Sequence, residues 1–136
     1  MVLENLARLY RESDFLTIYI AEAHASDEWS LGHVGGANAE AGGKWNVKNA
    51  RTMEERLALA QRWVEALRQD TAIESLYVVD AMNDAARKQY GAWPERLCVI
   101  EDGTIKFFGG QGPWDYKPHR VAKWLAQRFP GGSSNL

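Results

Sequence analysis

Tyr19, Glu22, His24, Asp27 and Trp29 bring a phenol, two carboxylates, an imidazole and an indole into one short stretch of the chain. Imidazole is the side chain suited to giving and taking protons near neutral pH, so His24 is the candidate proton donor. Tyr19 offers a hydroxyl to the same network. Glu22, Asp27 and Trp29 offer polar and aromatic contacts to a ligand. Each has a plainer reading. His24 caps a loop through hydrogen bonds, Tyr19 is a core aromatic, and Trp29 packs in the interior. Glu22, His24 and Asp27 together suggest a metal, but structural zinc takes four nitrogen or sulfur ligands and the chain has one Cys and three scattered His. No metal or cofactor is therefore expected. Cys98, the single thiol, lies inside the apolar run Arg96-Leu-Cys-Val-Ile and reads as a small buried hydrophobe.

The elements around this stretch decide where it sits. Phe15 to Ile20 is a continuous apolar run without alternation, the pattern of a strand covered on both faces. In open α/β sheets ligands bind beyond the carboxyl ends of such strands, which is where His24 falls. Residues 2–11 carry Leu3, Leu6 and Tyr10 on one helical stripe. Thr52 and Glu55 form a capping box before a helix over 53–69 whose stripe is Met53, Leu57, Ala60, Val64 and Leu67. Leu76 to Asp80 reads as a second strand, 82–90 as a helix stopped by Gly91, and 96–101 and 104–108 as strands joined at Asp102-Gly103, a two-residue hairpin signal. Pro118 opens a last helix over 118–129. Residues 30–50 show no period and read as a long loop. Gly109, Gly110 and Gly112 are turn glycines, since no Lys-Ser/Thr follows them as in a phosphate-binding loop.

The order α-β-loop-α-β-α-β-β-α implies an α/β, three-layer α/β/α sandwich with a mixed sheet ending in a ββα unit. Thioredoxin-like folds end this way. One domain over 1–130 with a tail at 131–136 suits a chain of 136 residues. A net charge of −2 argues against a nucleic-acid partner. No apolar run is long enough to span a bilayer, and Glu4, Arg8 and Arg11 interrupt any secretory signal. One cysteine rules out an intrachain disulfide, and a cytoplasmic location is the default expectation.

Tyr19-Ile-x-Glu22-Ala-His24-x-x-Asp27-x-Trp29 closely resembles the central motif of the iodothyronine deiodinases and their bacterial deiodinase-like relatives. Arg51-Thr-Met-Glu-Glu-Arg56-Leu is similar to the start of their next helix. Pro94-Glu95-Arg96-Leu97, Asp102-Gly103 and Gly110-Gln-Gly112-Pro113-Trp114 match their C-terminal half. The resemblance runs from about Leu6 to Phe129.

It implies a thioredoxin-like fold and an oxidoreductase that removes iodine reductively, in a family of selenoproteins and cysteine variants. It also implies catalytic roles for His24 and for Glu95, an acid that communicates with the His; on its own, Glu95 is an ordinary Glu before a strand. The family's nucleophile lies in a strand and Cys-Pro-Pro-like loop before the first helix, and this chain starts inside that helix. The expectation is therefore a chain without its nucleophile, inactive alone. The alternative is a non-catalytic ligand- or partner-binding module; a peroxiredoxin-like oxidoreductase lacks its peroxidatic Cys. The absent strand would lie between strands 15–20 and 96–101. These two then pair directly, receive a strand from another chain, or belong to a longer product. A homodimer through the open sheet edge is one such arrangement. A small aromatic or halogenated compound is the expected substrate. Ala50 and Gln111 stand where vertebrate members carry a His and an Arg that hold the hormone, which weighs against thyroid hormone itself. The resemblance also places a cis proline at Trp93-Pro94.

Overall fold

The structure is a computed structural model and describes residues 2–28, 47–93, 95–112 and 114–131. Trp29, the cis proline expected at Pro94, most of the long loop over 30–50 and the end of the tail lie outside the described residues.

The elements run α1 (Val2–Leu9), β1 (Leu16–Tyr19), α2 (Met53–Asp70), β2 (Leu76–Val79), α3 (Ala85–Gln89), β3 (Cys98–Glu101), β4 (Thr104–Phe108) and α4 (Pro118–Arg128). Local chemistry accounts for most boundaries. The Thr52 hydroxyl accepts from Glu55 N at 3.2 Å, and the Glu55 carboxylate reaches back to accept from Arg51 N at 2.7 Å. That second bond falls one residue before the usual capping-box partner. Asp102 and Gly103 have φ of 50° and 69°, so both central hairpin residues adopt the left-handed conformation that a type I′ turn needs. Helix α3 begins three residues later than its sequence pattern suggests. Asp84 sits at φ 57°, outside the helix. The Asp80 carboxylate accepts from Ala86 N at 3.0 Å and Arg87 N at 2.9 Å, which sets the first turn there.

Strand β1 pairs with β2 in parallel, with Leu16 opposite Leu76 and Tyr19 opposite Val79. Strand β3 pairs with β4 antiparallel, with an irregularity between Val99 and Ile100. Among the described residues these are two separate two-stranded sheets, so the direct pairing of β1 with β3 that the sequence allowed is not what forms. A slot lined by Leu16 and Thr17 on one side and Leu97 to Glu101 on the other keeps them apart.

Helices α1 and α4 pack on one another through Leu6, Tyr10, Val121 and Leu125 and cover Leu97, Val99 and Phe107 of the hairpin. Helix α2 lies against the first sheet, where Trp63 sits between Tyr19 and Tyr77 with ring centroids 6.0 and 5.5 Å away. Of the α2 stripe, only Ala60 is buried. Met53 and Leu57 are 36% and 41% exposed, and Arg56 is 4% exposed instead. Arg56 falls on the same stripe, between Met53 and Ala60. It donates to the Asp80 and Ala81 carbonyls at 3.2 Å and 2.8 Å and to Asp84 at 3.1 Å. Its charge is therefore paired where it is buried.

Candidate functional site

Beyond Tyr19 the chain leaves β1 and turns, and residues 47–51 return alongside it. Ser26 N donates to the Val47 carbonyl at 2.8 Å, and Ala25 and Val47 are both buried beneath this contact. Side chains extend the seam. The Tyr19 hydroxyl donates to the Glu22 carboxylate. Glu22 N donates to Asn49 Oδ1 at 3.2 Å, and Asn49 N donates to Asp27 Oδ1 at 2.9 Å. Arg51 approaches the same carboxylate at 4.0 Å, but it is largely exposed, so this ion pair adds little. Burial pushes the Glu22 carboxyl above its ordinary range.

Tyr19, Glu22 and Asp27 are thus joined through Asn49, and His24 lies exposed in the turn between Glu22 and Ala25. Both carboxylates have partners inside the protein. These bonds tie the turn after β1 to residues 47–51 and leave the imidazole at its surface. Asn49 escaped the sequence reading because its partners lie 27 and 22 residues away; the only signal was its place in the segment that precedes a capped helix.

Glu95 lies in the segment that leads into β3. Its carbonyl accepts from Gly112 N at 2.8 Å and its side chain is exposed. Burial first, and the Glu95 charge second, push the Tyr116 phenol up, so these two groups are near neighbours. Arg96 donates to the Gly91 and Gly109 carbonyls at 3.0 Å and 2.7 Å and lies over the Phe108 ring at 4.5 Å. Gly110 passes so close to the Asp115 side chain that a Cβ there would overlap it, so any larger residue at that crossing must displace Asp115. The sequence motifs around Glu95 therefore build a braced loop.

Cys98 is half-buried in β3, and burial pushes its thiol up despite nearby Arg96. A raised thiol pKa means less thiolate and a poorer nucleophile at neutral pH. Among the described residues no group of three or more His, Cys, Asp or Glu is arranged to hold a metal ion, and no helix is long and apolar enough to cross a membrane.

The parallel β1–β2 pair, the terminal ββα unit and a polar cluster at the carboxyl end of β1 define an α/β protein of the thioredoxin-like class. Comparison with known proteins carries this further. The sequence model for iodothyronine deiodinase matches residues 3–129. Type I iodothyronine deiodinase of Xenopus laevis is 36% identical over 116 residues, covering 85% of this chain and 40% of that protein. Thyroxine 5-deiodinase of Bos taurus is 34% identical over 120 residues, covering 88% and 35%. Type II iodothyronine deiodinase of Gallus gallus is 35% identical over 117 residues, covering 86% and 39%. The chain belongs to the iodothyronine deiodinase family. It spans well under half the length of these curated relatives.

Proposed function

We propose that this chain handles the proton in a reductive dehalogenation of a halogenated aromatic compound. A thiolate or selenolate attacks the halogen. The carbon–halogen bond breaks, a sulfur– or selenium–halogen bond forms, and the electron pair left on carbon takes a proton from the His24 imidazolium. The nucleophile is thereby oxidised by two electrons; a second thiol displaces the halide from it, leaving a mixed disulfide or selenenyl sulfide, and a third thiol reduces that bond. Tyr19 and Glu22 position the turn that carries His24, and Glu95 is assigned the acid that exchanges protons with it. Cys98 is not the nucleophile in this reading, and the chain releases no halide through its own thiol. A cytoplasmic setting, with its reduced thiol pool, belongs to the same proposal. The observation that supports the reading is the Tyr19–Glu22–Asn49–Asp27 chain of hydrogen bonds, formed in the stretch that carries the family motif.

The test is iodide release from 2,4,6-triiodophenol, with dithiothreitol alone and with added 2-aminoethaneselenol as the nucleophile. With dithiothreitol alone the chain and its Cys98→Ser variant match the protein-free control. With the selenol the chain accelerates release, and His24→Ala removes about a hundredfold of that acceleration, the scale of a positioned general acid. Acceleration indifferent to His24→Ala, or turnover abolished by Cys98→Ser, overturns the proposal.

A second reading rests on a different observation. A crevice of about 480 Å³ between α2 and the first sheet is bounded by Tyr19, Trp63 and Tyr77. An aromatic lining of this kind suits a planar ligand held without chemistry. Calorimetric binding of triiodophenol with no acceleration by the selenol favours this module over the dehalogenase.

A further inference from the structure

Asn49 stands outside the stretch that carries the imidazole and the carboxylates, yet it holds that stretch on both sides of His24. Its Oδ1 accepts from Glu22 N at 3.2 Å, before the imidazole in the chain, and its own N donates to Asp27 Oδ1 at 2.9 Å, after it. One half-buried residue thus closes both ends of the arch over 22–27, within which His24 is exposed. Ser26 N fixes the arch at a third point, the Val47 carbonyl at 2.8 Å. Asn49 is in turn anchored to α2, because Arg51 N donates to the Glu55 carboxylate at 2.7 Å and Thr52 caps that helix. The Asp27 side chain is 24% exposed, one of its oxygens is taken by Asn49 N, and the other lies 4.0 Å from Arg51. Accepting from an amide needs an oxygen and not a charge, so an asparagine in place of Asp27 keeps this bond.

We propose that Asn49 is a positioning residue for proton transfer by His24, acting through the Glu22 amide and through Asp27, whose carboxylate serves as its acceptor rather than as a ligand contact. The proposal rests on the dehalogenation reading above and names the residue that sets the acid's place in it. Protonating the carbon as its halogen leaves requires the imidazole N–H to be aimed at that carbon, and a misplacement of about 1 Å costs up to about a hundredfold. The arch sets that aim relative to α2, and Asn49 is the tie between them. Losing the tie leaves the imidazole in place chemically but frees the backbone on either side of it. The loss therefore falls on the chemical step and not on substrate binding.

Two measurements on the whole chain test this. Iodide release from 2,4,6-triiodophenol with 2-aminoethaneselenol is followed against phenol concentration, and amide hydrogen exchange at Glu22 and Asn49 is followed by NMR. Asn49→Ala is expected to lower kcat about tenfold with KM within about twofold. The Glu22 amide, its acceptor gone, should exchange about tenfold faster. Asp27→Ala should lower kcat by a similar factor and speed exchange at the Asn49 amide, and Asp27→Asn should recover most of that loss. Asn49→Ala combined with Asp27→Ala should be no slower than the worse single variant, because both open one arch. If Asp27→Ala does not fold, Asp27→Asn against the parent chain decides: kcat within about threefold supports the proposal, and a larger fall overturns it. Faster Glu22 exchange with unchanged kcat in Asn49→Ala makes the tie structural only and overturns the proposal. A loss carried by KM overturns it too, as does an Asp27→Asn as slow as Asp27→Ala, which returns the Asp27 charge to ligand contact. Acceleration that needs His24 but ignores Asn49 sinks this inference alone, whereas no acceleration by the parent chain, or acceleration that ignores His24, sinks the dehalogenation reading with it.

Discussion

Glu4 offers the sharpest test of the packing. It sits on α1, is 3% exposed, and accepts three hydrogen bonds from the start of β2: Glu74 N at 2.6 Å and Ser75 N at 3.1 Å to Oε2, and the Tyr77 hydroxyl at 2.5 Å to Oε1. Burial alone would raise its carboxyl, but the bonds from Tyr77, Glu74 and Ser75 outweigh burial and hold it below the unfolded value of 4.5. Glu4→Ala leaves three donors without an acceptor. Hydrogen bonds to a charged group contribute about 1.5–3 kcal/mol each, and the losses overlap because the two backbone amides share one oxygen, so the expected cost is about 4 kcal/mol. Glu4→Gln keeps a carbonyl for the amides, and its NH2 can donate to the Tyr77 oxygen. That variant loses mainly the charge, about 1–2 kcal/mol. For a chain of this size the corresponding falls in Tm are about 12 °C and about 5 °C.

The pH dependence follows from the sign of the shift. A depressed carboxyl adds stability above its unfolded value and loses it as pH falls through the folded one. The gap between the parent chain and Glu4→Gln therefore closes on acidification below pH 4.5. Urea unfolding followed by tryptophan fluorescence at a series of pH values measures it. A Glu4→Ala cost under about 1 kcal/mol, or a Glu4→Gln gap that ignores pH, refutes the account of α1 docking through a buried carboxylate.

Arg56→Met removes the guanidinium that ties α2 to the Asp80, Ala81 and Asp84 groups and leaves Asp84 with Arg87 alone. The expected cost in urea unfolding is about 3–5 kcal/mol. Tyr19→Phe takes the hydroxyl donor from the Glu22 carboxylate. A carboxyl already raised by burial should rise further, seen by NMR titration of Glu22, with about 1 kcal/mol lost in stability. Gly110→Ala forces the Asp115 side chain away and is expected to cost about 1–3 kcal/mol, measured by thermal unfolding. Cys98 should alkylate with a pH midpoint above 9.0, since burial raises its thiol, and a midpoint below that value contradicts its placement in β3.

Much of the fold was legible because its signals are local. The Thr52–Glu55 cap, the Asp102-Gly103 turn and the Pro118 start of α4 each depend on residues a few positions apart, and each forms where its residues fall. The turn bearing Glu22, His24 and Asp27 was placed correctly at the end of β1, since a short apolar run followed by polar groups is itself a strand end. The late start of α3 was not legible. Asp80 and Arg56 shape it from the end of β2 and from α2, and a helical stripe over 82–90 cannot register an acceptor outside itself.

By itself, the sequence determined the order of helices and strands, the hairpin, the caps and the motif that ties this chain to its family. All of these are written in the types and spacing of neighbouring residues. Only the tertiary structure decided that Arg56 is interior, that Glu4 anchors α1 to a segment 70 to 73 residues away, and that the strands separate into two pairs with a slot between them. Burying a charge or leaving a strand edge open depends on which distant groups arrive to meet it. That choice is made by packing in three dimensions rather than by any local pattern.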